Sequence, residues 1–216
     1  MNIDILNAIL VLVLVMNLFA LGTSRLQAVI RIVAAQGALL GVLPLLYHAK
    51  LTLPAALASA AAIALKGVVI PLIMTRALRD AQIKREVEPL VGFMPSIILG
   101  AAATGFALLL ASGLGGGQAE TIQADLLIPA SIATMLVGFI LLTTRFKALS
   151  QVVGYLVLEN GVYIFSVLLI EAIPLVVEMG VLLDLFVGIF VISIITNHIN
   201  RAFASMDTRR LVSLKE

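Results

Sequence analysis

Two carboxylic acids, Glu159 and Asp184, sit near the middle of apolar runs long enough to cross a bilayer. Glu159 lies within SQVVGYLVLENGVYIFSVLLI and Asp184 within LVVEMGVLLDLFVGIFVISII, so neither reaches a headgroup easily. An ionisable side chain at the bilayer centre costs roughly 2.5–3.5 kcal/mol on insertion scales, so such residues face protein or water and commonly serve transport. Burial penalises the charged carboxylate and brings the acid toward the condition in which it both takes and releases a proton near neutral pH. A proton relay is one reading. The other is a static ion pair with Lys66, Arg31 or a neighbouring subunit, which ties helices together at a desolvation cost.

Other polar residues within the apolar runs carry paired readings of the same kind. Lys66, in AIALKGVVI, is deep enough to belong to an ion path or to neutralise Asp184. Glu178 lies about 9 Å nearer the outer face than Asp184 at the helical rise; it is an outward proton exit or a side chain that snorkels to the interface. Arg31, closer to the cytoplasmic end, snorkels. Gln36, flanked by Ala35 and Gly37, hydrogen-bonds between closely packed helices. Asn160 and Tyr163 line a water path or pack between helices.

Several chemistries are excluded. Cysteine is absent, which removes thiol catalysis, disulfides and iron–sulfur ligation from this chain. His48 and His198 fall at span ends on opposite faces and cannot share a metal, and no spacing of Ser, His and acid suggests a nucleophilic triad. The run GLGGGQ has no GK[ST] after it and no strand before it, so it is a flexible turn rather than a phosphate loop. No cofactor is expected in the chain, and any redox centre belongs to a partner. The net charge of +2, from 14 Lys and Arg against 12 Asp and Glu, gives no reason to expect nucleic acid.

The elements that must position these residues are membrane helices. Of 216 residues 62% are hydrophobic and 12% charged, and the mean hydropathy is +1.17. Since a span needs roughly 20 apolar residues, too little polar sequence remains for a soluble domain. Ile5 to Leu21, preceded by Asp4, reads as a first membrane helix rather than a signal peptide. Further spans are expected over Leu26 to Tyr47, Leu53 to Thr75, Leu90 to Leu114, Leu127 to Thr143, Ala148 to Ile170 and Pro174 to Thr196. The fold class is therefore all-α, a polytopic membrane protein of about seven spans by length. It divides into a first three-helix unit with an amphipathic linker from Arg76 to Glu88 (1–88), a spacer helix (89–114), a second three-helix unit (127–200) and a tail (201–216).

Alternate loops partition the positive charge. One side receives Arg25, Arg76, Arg79, Lys84, Arg85, Arg145, Lys147, Arg201, Arg209, Arg210 and Lys215; the other receives Lys50. By the positive-inside rule the N-terminus lies outside and the tail in the cytoplasm. An odd number of spans with a central spacer runs the two three-helix units in the same direction, so a parallel repeat is possible, with Gln36 and Lys66 standing where Glu159 and Asp184 stand.

The second unit carries a family resemblance. RFKALSQVVGYLVLENGVYIFSVLL followed by VVEMGVLLDLFVGIFVISIITNHINR resembles hydrogenase-4 component E, over essentially the whole chain. Residues 127–200 are also similar to the three-helix K subunit of respiratory complex I and to the C subunit of multisubunit cation/proton antiporters. Glu159 matches the intramembrane Glu of the K-subunit pattern's second helix; Asp184, with Gly188 four residues on, matches the Glu of its third. That Glu is Asp here, which shortens the side chain and alters hop distances, and Glu178 has no counterpart in the pattern. The resemblance implies an inner-membrane subunit of a group 4 [NiFe] hydrogenase, contributing to proton or sodium translocation. Its partners would be antiporter-like and membrane-anchor subunits, peripheral hydrogenase subunits holding the [NiFe] centre and iron–sulfur clusters, and membrane lipid. A cation/proton antiporter without redox partners and a structural bundle joining membrane subunits are the other readings, because fold alone does not establish function.

Overall fold

A computed structural model describes residues 3–47, 53–80, 90–114 and 126–169, all helix and short turn with no strand among them. The helices are α1 (Ile3–Gly22), α2 (Leu26–Leu40), α3 (Leu43–Tyr47), α4 (Leu53–Ala62), a π-helical segment (Ile63–Val69), α5 (Ile70–Asp80), α6 (Phe93–Leu114), α7 (Leu127–Thr144) and α8 (Ala148–Leu169). Apolar sequence of this length forms helix because a bilayer offers no water to the backbone, so each N–H and C=O must be satisfied within its own segment.

Four stretches are long and apolar enough to cross a membrane: Ile3–Gly22, Ser59–Arg76, Phe93–Gly113 and Leu127–Thr144. Leu26–Leu40 is apolar but shorter, and α8 has the length of a span but a polar centre at Glu159 and Asn160. The expected second span is not one helix. It breaks at Gly41 and Val42, because Pro44 has no N–H and its ring conflicts with the carbonyl of Leu40. Gly41 is also where α2 approaches Ile63, whose side chain a Cβ would meet at 2.6 Å. The expected third span is continuous but changes winding over Ile63–Val69, and it continues to Asp80, taking the first residues of the expected linker into helix. The expected seventh span, with Glu178 and Asp184, lies outside the described residues, as does the tail.

The helices stack three layers. At one end Leu26, Val29, Ile30, Ile70, Met74, Val137, Leu141, Leu149 and Val153 form an apolar cluster. At the other, Leu6, Leu10, Val13, Leu40, Leu43, Leu127, Ala130, Ile164 and Val167 form a second. Buried Asn17, Gln36, Thr134, Glu159 and Asn160 lie on the same helices at sequence positions between the two clusters, and buried Lys66 lies one turn before Ile70 of the first. The first end also gathers turns: the Leu90 N–H donates to the Thr144 carbonyl at 2.8 Å, and Arg145 donates to the Leu21 carbonyl at 2.8 Å. Arg25, Arg145 and Lys147 belong to those turns, and Arg76 and Arg79 to the end of α5 beside Leu78 of the same cluster, so this is the basic end.

Candidate functional site

Glu159 is held by the closest helix pair. Along α7 and α8, Gly138 meets the Leu158 backbone, Gly154 faces Leu141 and Leu142, and Gly161 faces Met135 and Ser131; a Cβ on Gly154 would lie 2.5 Å from the Leu142 nitrogen. Small residues permit that approach in a membrane, where dispersion contact rather than water expulsion holds helices together. The approach fixes the face of α8 that carries Glu159 and Asn160 toward the bundle interior, where both are buried.

Lys66 comes to the same point from the π-helical segment. The Ile70 N–H reaches back five residues to the Leu65 carbonyl, and Pro71, next in line, has no N–H to offer. The wide turn adds a residue to the helical course and re-aims the side chain; such turns are frequent at functional sites. Gly37 of α2 lets it seat, since a Cβ there would stand 2.7 Å from the Lys66 Cβ.

The Lys66 Nζ lies 2.7 Å from Glu159 Oε1, with the side chains 5% and 3% exposed. Oε1 has no aligned hydrogen-bond partner among the described residues, so the contact is a close ion pair set by distance rather than a well-directed hydrogen bond. Lys66 also donates to Asn160 Oδ1 at 3.5 Å and sits 4.5 Å from the centroid of the Tyr163 ring. From there a chain of amides crosses the bundle. Asn160 Nδ2 donates to Gln36 Oε1 at 3.1 Å, Gln36 Nε2 to Asn17 Oδ1 at 2.8 Å, and Asn17 Nδ2 to Thr134 Oγ1 at 2.9 Å.

The direction of this chain has an electrostatic consequence. Every amide turns its oxygen toward Lys66 and its nitrogen away, so the dipoles align and polarise one another in favour of the ammonium. Amide side chains hold a charge in this way without readily passing a proton on. The acid of the cluster is Glu159, set against the Lys66 ammonium. A cavity of about 10 Å³, room for one water-sized group, adjoins the pair and is lined also by Ile30, Val33, Met74 and Val153 on the side of the basic end.

Of the residues singled out in the sequence, the structure brings together Glu159, Lys66, Asn160, Tyr163 and Gln36, the last as an interhelical hydrogen-bonding residue. Arg31 is exposed, as a snorkelling side chain would be. Glu178 and Asp184 lie outside the described residues, and with them the expected pairing of Lys66 with Asp184; the described acid against Lys66 is Glu159. Asn17 and Thr134 were not legible as partners, although Asn17 is an isolated polar residue in an apolar run and Thr134 is one of two, with Ser131, in its own. Arg145, counted in the sequence among the positive charges of the loops, is 1% exposed. Among the described residues no three His, Asp or Glu side chains gather to hold a metal ion.

Comparison with known proteins finds Rv0085 of Mycobacterium tuberculosis 34% identical over 194 residues, which cover 88% of this chain and 87% of that protein. Hydrogenase-4 component E of Escherichia coli K12 and of Shigella flexneri is 26% identical over 157 residues, covering 73% of this chain and 72% of those proteins. No family model and no solved structure matches. Similarity of that extent, together with helices able to span a bilayer, makes the chain a membrane protein of the family to which Rv0085 belongs, with hydrogenase-4 component E as a more distant relative.

Proposed function

We propose that the chain is an inner-membrane subunit of a complex-I-like group 4 [NiFe] hydrogenase assembly, and that Glu159 exchanges protons there while Lys66 sets its charge state. The observation that carries this reading is the buried ion pair between Lys66 and Glu159 at 2.7 Å, placed in a polar layer between two apolar clusters and beside a water-sized cavity. The distant similarity to hydrogenase-4 component E supports it.

In this reading a proton enters from the basic end, through water in the cavity, and neutralises Glu159. The pair then loses its attraction. Lys66 remains charged, kept by the aligned amides and the Tyr163 ring, and its field favours release of the proton again. The pair is a two-state element that movement in a neighbouring subunit can bias. Asp184 and Glu178 would continue the path toward the outer face. Hydrogen chemistry and electron transfer belong to peripheral partners holding the [NiFe] centre and iron–sulfur clusters, and antiporter-like and membrane-anchor subunits would flank this chain.

The test is Glu159→Gln in the native complex, with proton uptake into inverted vesicles measured during turnover. Lys66 then keeps Asn160 as an acceptor, and in assembled complex pumping per electron is expected to fall at least several-fold, because a carboxamide neither takes up nor releases the proton. Normal pumping in a fully assembled variant would reject the relay. Isolation of the complex separates the assemblies: a hydrogenase large subunit among its partners supports the reading, and antiporter subunits without one would replace it.

A further inference from the structure

Arg145 is the bulkiest fully buried side chain among the described residues, and it lies in the turn between α7 and α8 at the basic end. Its Nη2 donates to the Leu21 carbonyl at 2.8 Å, and its guanidinium lies 5.4 Å from the centroid of the Phe93 ring. Its Nη1 is buried with no hydrogen-bond partner, and no carboxylate pairs with it among the described residues. Desolvation lowers its pKa from the ordinary arginine value, but a guanidinium stays charged in any protein setting. A buried cation without a counter-charge is costly, so something is expected to supply one.

A second unpartnered group lies beside it. Ser150, in the first turn of α8 and 3% exposed, has a buried Oγ that also lacks a hydrogen-bond partner. Arg145 and Ser150 line one cavity of about 10 Å³, space for a single oxygen-sized group, whose other walls include Ala20, Leu26, Val29 and Leu141. A water molecule there would satisfy the donors and leave the charge uncompensated; an anionic oxygen does both. Exposed Arg25 in the neighbouring turn adds to the positive field. The site is at a membrane end, where headgroup phosphates are abundant and basic pockets between helices bind them.

We propose that this cavity binds one phosphate oxygen of an anionic phospholipid headgroup, with Arg145 Nη1 and Ser150 Oγ as its donors, so that a bound lipid locks the α1–α2 and α7–α8 turns together. The site is separate from the Glu159 cluster and does not rest on the proposed function.

The experiment is native mass spectrometry of the full chain purified in mild detergent and titrated with phosphatidylglycerol, diacylglycerol or inorganic phosphate. One phosphatidylglycerol is expected to remain bound per chain, whereas diacylglycerol, which lacks the phosphate, should not be retained. Arg145→Gln is expected to lower occupancy by about tenfold, and Arg145→Lys and Ser150→Ala by about threefold, in keeping with loss of a charge-assisted fork or of one hydrogen bond. Arg31→Gln, on an exposed face, should leave it unchanged. Arg145→Lys keeps the charge and a donor for the Leu21 carbonyl, so lipid loss at an unchanged unfolding temperature separates binding from folding. Equal retention of diacylglycerol, or unaltered phosphatidylglycerol occupancy in well-folded variants, would overturn the proposal. Complete displacement of the lipid by millimolar inorganic phosphate would assign the site to the free anion and overturn the lipid assignment.

Discussion

At the scale of single residues, the Lys66–Glu159 pair decides most of what can be tested. Its two charges are buried together, so removing one leaves the other uncompensated, a change that typically costs about 3–5 kcal/mol, whereas replacing both by apolar or neutral groups is often tolerated. Lys66→Met is therefore expected to destabilise the protein unless Glu159 takes up a proton. That proton is observable as a protonated-carboxyl infrared band at neutral pH, present in Lys66→Met and absent from Lys66→Met/Glu159→Gln. The double variant should recover stability relative to Lys66→Met, giving a coupling of about 0.5–3 kcal/mol in a thermal or denaturant cycle. Additive effects with no new carboxyl band would mean that Lys66 and Glu159 do not sense each other. Asn17→Leu removes the last amide of the chain, leaving Gln36 without its acceptor and Thr134 without its donor. A loss of about 1–3 kcal/mol is expected, because buried polar groups are left unpaired.

At the scale of elements, two features position the pair and each can be altered without touching a charge. The α7–α8 contact depends on Gly154, where a side chain would enter the Leu142 backbone. Gly154→Leu is expected to separate the helices and lower stability by about 3 kcal/mol or more, the upper range for overpacking, with a fall in unfolding temperature and in yield of assembled complex. The π-helical turn is the subtler case. Pro71→Ala restores an N–H next to the wide turn and lets the segment relax toward regular winding, which would rotate Lys66 away from Glu159. The expected outcome is a stable variant with impaired proton pumping. Unchanged pumping would show that Lys66 keeps its place without Pro71.

At the scale of the whole molecule, the basic end gathers Arg25, Arg76, Arg79, Arg145 and Lys147 into one layer of turns and helix ends. Under the positive-inside rule that end is expected in the cytoplasm, and the sequence expectation for the tail, with Arg201, Arg209, Arg210 and Lys215, is the same side. A protease site appended after Glu216 should be protected in right-side-out cells and cleaved in inverted vesicles. Cleavage in intact cells would reverse the assignment. The exposed side chains of α6, among them Met94, Ile98, Phe106 and Leu109, form an apolar face that lipid can cover without a protein partner.

What the sequence determined by itself was the kind of solvent and the identity of the charged groups. Long apolar runs require helix in a bilayer, and Lys66 and Glu159 stand out because an ionisable residue at that depth is costly. It did not show where helices give way: Pro44 and Pro71 stand inside runs read as single spans, and the break at Gly41 and Val42 and the wide winding over Ile63–Val69 belong to the structure. Only the tertiary structure decided which residues meet. In a soluble bundle the polar face of a helix points to water and its apolar stripe finds the core; in a membrane lipid is as apolar as the interior, so a run such as Leu127–Thr144 carries almost no record of which side faces protein. The contact of Lys66 with Glu159, the chain through Asn17 and Thr134, and the burial of Arg145 therefore depend on close approaches at Gly37, Gly154 and the turns, between residues up to 124 positions apart.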